Sequence, residues 1–195
     1  MALGLGLAPT VTAATAQTQA VTIAAAKRVV VYGANVRISG VVSNQQPDAA
    51  VTVSIRRFGE SAFVPVSNST IDANGAWSFV FEPTVRSELQ AQSGQGVSRV
   101  VTVRVKPRLT LTRRRGVLFA QAVGARTFRG RHVWLQRRTK QGRWRSLRKI
   151  VLDDPPRRVR VMLPRGVSRI RVSLPRRQAG PGYEPTVSRV LVLRR

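Results

Sequence analysis

The chain has no cysteine, a single histidine and only 8 acidic residues among 195. Without cysteine there are no disulfide staples, no thiolate metal sites and no cysteine nucleophile, and the redox compartment stays undetermined. The one histidine, His132, falls on the strand face opposite Val133 and Leu135, and its nearest acids in sequence, Asp153 and Asp154, sit in a proline-rich turn. That is no setting for an oriented base beside an activated nucleophile, and no nucleophile-elbow motif occurs. The second half has no pair of glutamates, which argues against glycosidase chemistry and its two flanking carboxyl groups. Asp72 and Asn74 resemble the start of a calcium loop, but glycine arrives at the fourth position and no glutamate closes the loop at the twelfth, so a hairpin turn explains them. The expectation is a non-enzymatic protein with no metal and no cofactor. No run approaches the roughly 18 consecutive apolar residues of a membrane-spanning helix, so no transmembrane segment is expected.

What the chain has in excess is positive charge: 34 Lys and Arg, a formal +26 and a pI near 12.0. Residues 1–106 hold 9 basic and 5 acidic side chains, a net +4, whereas residues 107–195 hold 25 and 3, a net +22. Only Lys27, Lys106, Lys140 and Lys149 are lysines. Two readings of the excess stand. A basic half implies polyanionic partners such as nucleic acid, anionic lipid or acidic wall polymer; an arginine skew also follows from GC-rich coding without selection for binding.

Beyond residue 20 apolar and polar residues alternate with period two. Val51, Val53 and Ile55 are interleaved with Thr52, Ser54 and Arg56, and Ile170, Val172 and Leu174 with Arg169, Arg171 and Ser173. Such segments offer one dry and one wet face, and β-branched residues dominate them. Turn chemistry punctuates the runs at Asp72-Ala73-Asn74-Gly75, Gln141-Gly142, Asp153-Asp154-Pro155-Pro156 and Ala179-Gly180-Pro181-Gly182. Strands are predicted near 21–25, 28–33, 35–43, 50–57, 62–71, 76–83, 88–93 and 98–105, then 108–114, 116–124, 132–139, 143–152, 157–164, 168–175 and 186–194. The fold class is all-β; the only helical candidate, Ser87 to Gln92, is short.

The two halves repeat each other in order. Val21-Thr22-Ile23 corresponds to Leu109-Thr110-Leu111, and Val36-Arg37-Ile38 to Val117-Leu118-Phe119. The strand ending in Arg56-Arg57 corresponds to the one ending in Arg137-Arg138, Phe63 to Trp144, Asp72 to Asp153, Pro83 to Pro164, and Ser98-Arg99-Val100-Val101 to Ser188-Arg189-Val190-Leu191. The period of about 90 residues approaches the ~100 of an immunoglobulin-like sandwich. Each half resembles the Ig-like modules of secreted and surface-attached bacterial proteins, with a strand ending in basic residues, a hairpin carrying an aromatic, an Asp-x-Asn-Gly-x-aromatic turn and a Ser-Arg-hydrophobic closing strand. The first half carries Asp72, Asn74, Gly75 and Trp77; the second departs at Asp153-Asp154-Pro155-Pro156. The resemblance implies two tandem Ig-like antiparallel β-sandwich domains, residues 21–106 and the strongly basic 107–195, joined at Lys106-Pro107, and an exported location.

Residues 1–20 fit that location. A short apolar run, Ala2 to Leu7, precedes small and polar residues with alanines at spacing two, like the apolar region and cleavage site of a signal peptide. The positive stretch such leaders carry is missing, since no Lys or Arg precedes Lys27; the competing reading is an Ala/Thr tail. The expected localisation is secreted or cell-envelope associated.

One candidate site emerges. In an Ig-like sandwich the third, sixth and seventh strands share a sheet. This puts Trp134, Gln136 and Arg138 on one outward face with Arg169, Arg171 and Arg194. Trp134, Arg138, Arg169, Arg171 and Arg194 are therefore the candidate polyanion-binding residues: an indole amid guanidinium groups could stack on a sugar or base, or simply lie against arginine stems. Trp77 and Trp144 read as core or hairpin-packing residues, and Arg113-Arg114-Arg115 as a solvated turn. The functional expectation is a structural, adhesive or cell-envelope-binding module pair whose second module contacts an anionic polymer. The alternative is a secreted basic nucleic-acid-binding protein, although no common nucleic-acid recognition motif is present.

Overall fold

A computed structural model describes residues 20–43, 48–156, 158–162 and 166–194. The leader read over residues 1–20 lies outside this set except for Ala20, as do Leu163, Pro164 and the repeat match built on Pro164. The chain forms two all-β units, and among the described residues no strand of one pairs with a strand of the other.

The first unit comprises β1 (Ala24–Ala25), β2 (Val29–Val31), β3 (Val36–Val41), β4 (Ala50–Arg57), β5 (Val64–Thr70), β6 (Ala76–Phe81), β7 (Ser87–Ser93), β8 (Gly96–Val97) and β9 (Val101–Lys106). One sheet has the order β1-β3-β6; the other runs β2-β9-β7-β4-β5, with β8 added to β7. Every pairing is antiparallel except β2 on β9, which is parallel. The alternation in β4 sends Val51, Val53 and Ile55 inward, where they are fully buried, beside Leu89, Ala91, Val103 and Val105 of the same sheet. Val36, Ile38 and Trp77 line the other sheet. Burial of each such aliphatic side chain is worth about 1.5–3 kcal/mol, so in β4 the period-two pattern fixes which face is dry. Trp77 fits because Gly40 stands beside it: a Cβ there would lie 2.8 Å from Trp77 Cζ2 and collide with the Thr22 carbonyl oxygen.

The turn before β6 is an Asx turn. Asp72 Oδ1 accepts the backbone N–H groups of Asn74 (2.8 Å) and Ala76 (2.9 Å), and Gly75 takes the positive φ the hairpin requires. Ser87 to Gln92, the helical candidate, lies in β7.

The second unit comprises β10 (Arg108–Arg114), β11 (Val117–Val123), β12 (His132–Arg138), β13 (Trp144–Val151), β14 (Arg158–Val159), β15 (Val167–Leu174), the one-turn helix α1 (Arg176–Ala179), β16 (Thr186–Val187) and β17 (Leu191–Arg194). Its sheets are β10-β11-β14 and β13-β12-β15-β16, with β17 also on β15. Leu109, Leu111, Leu118 and Ala120 on one sheet, with Val133, Leu135, Ile170, Val172 and Leu193 on the other, are among its buried apolar residues. The strand expected over 186–194 divides, because Ser188 turns its hydroxyl into the ladder. Among the described residues no helix is long and apolar enough to cross a membrane.

Ser98 and Ser188 anchor the internal repeat. Ser98 Oγ accepts the Ala91 amide at 2.9 Å and donates to the Arg99 carbonyl at 2.9 Å; Ser188 Oγ accepts the Val172 amide at 3.0 Å and donates to the Arg189 carbonyl at 2.9 Å. Ala91 therefore corresponds to Val172. Their β-partners, Val53 and Leu135, then correspond too, which places Arg56 with Arg138 and corrects by one residue the match of Arg56-Arg57 to Arg137-Arg138. A bulge interrupts the β4–β5 and β12–β13 ladders at the same point.

The units meet across more than the Lys106-Pro107 connection. The loop after α1 lies against the first unit: the Arg86 amide donates to the Gly182 carbonyl (2.9 Å), and the Glu184 amide to the Val105 carbonyl (2.8 Å). The Tyr183 hydroxyl donates to the Thr84 carbonyl (2.9 Å) and accepts the Ala125 amide (2.7 Å). Phe58, Arg86, Arg104, Arg176, Arg177 and Tyr183 line a cleft of about 600 Å³ at this junction.

Candidate functional site

The outward surface of the β13-β12-β15-β17 sheet gathers the residues singled out in the sequence. On β12, Val133 and Leu135 point inward, so Trp134, Gln136 and Arg138 point outward. On β15, Ser168, Ile170 and Val172 are buried, which turns Arg169 and Arg171 to the same side. Arg194 follows buried Leu193 on β17. The registers order the face: Trp134 stands between Lys149 and Ser173, Gln136 between Ser146 and Arg171, and Arg169 beside Val192. All five candidate residues share this surface.

Their environments differ. Arg169 and Arg194 are exposed, and their side chains make no hydrogen bond or ion pair among the described residues. Arg138 Nε donates to the Gly142 carbonyl at 3.1 Å. Arg171 is half-buried: its Nε donates to Gln136 Oε1 at 2.9 Å, and its guanidinium lies 4.1 Å from the Trp144 ring centroid. Burial holds Arg171 below the ordinary guanidinium value, yet a guanidinium stays charged in proteins. Trp134 is 38% exposed, with the His132 ring edge-on at 6.0 Å. Burial, and secondarily the charge of Lys149, lower the pKa of His132. Both effects favour the neutral imidazole.

Trp144, read as a core or hairpin-packing residue, lies outside the core, half-buried at the end of the β12–β13 hairpin. Strict alternation from buried Ile150 back through Arg148 and Ser146 puts it on the core side. The bulge at Leu147 removes one step: Arg148 pairs with Leu135 but Ser146 pairs with Gln136, and Trp144 ends opposite Arg138 on the outer face. Lys149 and Ser173, the neighbours of Trp134, were also not singled out; the strand register is what reveals them.

The corresponding face of the first unit serves as an internal control. Thr52, Ser54, Arg56, Glu88, Gln90, Gln92, Thr102 and Arg104 occupy the positions of Trp134, Gln136, Arg138, Arg169, Arg171, Ser173, Val192 and Arg194. There Arg56 stacks on Phe63, 4.7 Å from its centroid, and is neutralised by Glu88, with its NH2 group 2.5 Å from Oε2. Phe63 corresponds to Trp144, so the aromatic platform is kept while the acid becomes Arg169. With Arg56 and Arg104 against Glu88, the first face carries a net +1; the second, with Arg138, Arg169, Arg171 and Arg194 and no acid at these positions, carries +4. The three acids of the second half lie elsewhere. Arg129 takes Asp153 at 3.3 Å, Asp154 follows in the same loop, and Glu184 lies 3.8 Å from Arg104 at the junction.

This face offers charge, stacking and hydrogen bonding. Among the described residues no three His, Asp or Glu side chains come together as a metal site. No family model and no curated protein matches this chain.

Proposed function

We propose that the protein is a non-enzymatic, exported pair of Ig-like modules whose second module holds an anionic polymer of the cell envelope on its β13-β12-β15-β17 face. The Ig-like reading is supported by the strand order of both units and by β2 running parallel to β9 at the edge of the first, as a leading strand does when it crosses between the two sheets of such a sandwich. The composition of residues 1–20 supports export. The observation that carries the binding role is the exchange of Glu88 for Arg169 on an otherwise repeated scaffold. Together with the exchange of Gln90 for Arg171 it turns a face of net +1, where Glu88 pairs with Arg56, into one of net +4 with no acid at the corresponding positions. Such a face binds through electrostatics and therefore weakens with salt.

The test restores the arrangement of the first module. Retention of Arg169→Glu on purified cell envelope, measured against rising salt, should fall at least tenfold at low salt relative to the unaltered chain. Unchanged retention would remove the binding role from this face. N-terminal sequencing of protein recovered from culture medium tests export.

A further inference from the structure

Resting on that reading of the face, we infer that its ligand is an acidic polysaccharide, a chain of uronate-type sugars, recognised by Trp134 as well as by charge. Arginines alone do not distinguish one polyanion from another; the residues between them do. Trp134 occupies the position of Thr52, so the second module has an open indole where the first has a hydroxyl. On either side in the same row stand Lys149 and Ser173, and on the next outward position of its own strand Gln136. A sugar ring laid on the indole buries its C–H face, Ser173 and the Gln136 amide reach ring hydroxyls, and Lys149 and Arg171 reach a carboxylate.

The geometry disfavours a single-stranded nucleic acid. Sequence-independent binding of such strands uses several aromatic platforms for successive bases. Among the described residues this face has one open indole, with only the smaller His132 ring edge-on beside it, because Arg171 covers Trp144. Arg169 and Arg171 are two residues apart on one strand, hence about 6.7 Å apart along it, with the neighbouring strands about 4.8 Å to either side. That spacing lets the arginines meet successive charges of an extended polyanion and does not by itself choose among polymers; the choice rests on Trp134 and the polar groups beside it.

The experiment titrates the full chain with polygalacturonate, long-chain polyphosphate and a single-stranded DNA oligonucleotide at equal charge concentration and equal salt. It compares the unaltered chain with Trp134→Thr, Trp134→Phe and the double variant Arg176→Ala/Arg177→Ala, with the melting temperature of each confirming that it is folded. Polygalacturonate should bind most tightly. Its affinity should fall about tenfold in Trp134→Thr and by less in Trp134→Phe, while polyphosphate affinity changes less than twofold in both. Equal losses for polygalacturonate and polyphosphate, or tightest binding of DNA with the same dependence on Trp134, would overturn the polysaccharide and leave the cationic face standing. Loss of binding in the junction variant with Trp134→Thr unaffected would move the site to the cleft and overturn both. Absence of binding to all three polyanions would overturn the binding role itself.

Discussion

Removing the hydroxyl of Ser188 should weaken the second module by about 2 kcal/mol. Ser188 is 5% exposed and Val172 fully buried. The Val172 amide gives its proton to Ser188 Oγ at 3.0 Å, the hydroxyl donates to the Arg189 carbonyl, and the Ser188 amide donates to the Val172 carbonyl at 2.9 Å. In Ser188→Ala the last of these bonds survives. Arg189 is exposed, so its carbonyl is within reach of water. The Val172 amide has no such recourse, and leaving a buried donor unpaired costs about 1–3 kcal/mol. For a module of about 90 residues a loss of ~2 kcal/mol corresponds to roughly 8–16 °C in melting temperature. The assay is urea unfolding followed by circular dichroism, where the midpoint should drop with the slope unchanged. Ser98→Ala, which strands the amide of buried Ala91, should cost the same in the first module. If both variants lose less than about 0.5 kcal/mol, water reaches these amides, and the serine bridge is not what holds the closing strand of each module.

Arg115 and Gly116 form the two-residue turn between β10 and β11, both with positive φ, a conformation that costs a residue with a side chain about 1–2 kcal/mol. Arg115→Asn should therefore stabilise the chain by about 0.5–1 kcal/mol in urea unfolding. Tyr183→Phe removes the hydroxyl that joins Ala125 to Thr84 across the two modules; a loss of about 1–3 kcal/mol is expected, with faster proteolysis near the junction. Burial, ahead of the smaller effects of the Ala125 amide, Tyr32 and Arg126, raises the pKa of Tyr183 above its ordinary 10.0. The folded pKa lies above the unfolded one, so this contribution is complete below pH 10 and lost as pH rises through the folded value; in Tyr183→Phe that part of the alkaline decline should vanish.

Much of this architecture was legible because burial on one face enforces a simple period. Val51, Val53 and Ile55 announce β4 and its inner side, and the repeated Ser-Arg-hydrophobic segment locates the serine that closes each module. The five candidate residues converge on one face because alternation and strand order together fix position on a sheet. Periodicity failed where the chain adds a residue. The bulge at Leu147 inverts the phase of β13 and carries Trp144 outward, and a bulge has no fixed sequence signature. The match of Arg56-Arg57 to Arg137-Arg138 slipped by one because two adjacent arginines align equally well in either register, and only the hydrogen bonds to Ser98 and Ser188 decide between them. Helix α1 was invisible, since one turn is too short to show a helical period.

The two explanations of the arginine excess make different demands on the face. A coding skew acts on codons without regard to where the side chain points, and it acts on both halves of one gene. It accounts for arginines scattered through turns and edges, such as Arg113, Arg114 and Arg115. It gives no reason for the first module to keep Glu88, Gln90 and Thr102 on its outer sheet while the second carries Arg169, Arg171 and Val192 at the same positions. Nor does it explain Lys149, one of only four lysines in the chain, beside the open indole of Trp134. Selection for a ligand accounts for both. It acts on the outward positions, where a partner touches; the inward positions of the paired strands, Val53 and Leu135 or Leu89 and Ile170, stay apolar in both modules because they are buried. A composition effect would leave polyanion affinity proportional to total charge, so Arg113→Ala and Arg169→Ala would weaken it equally; recognition by the face makes only the second costly.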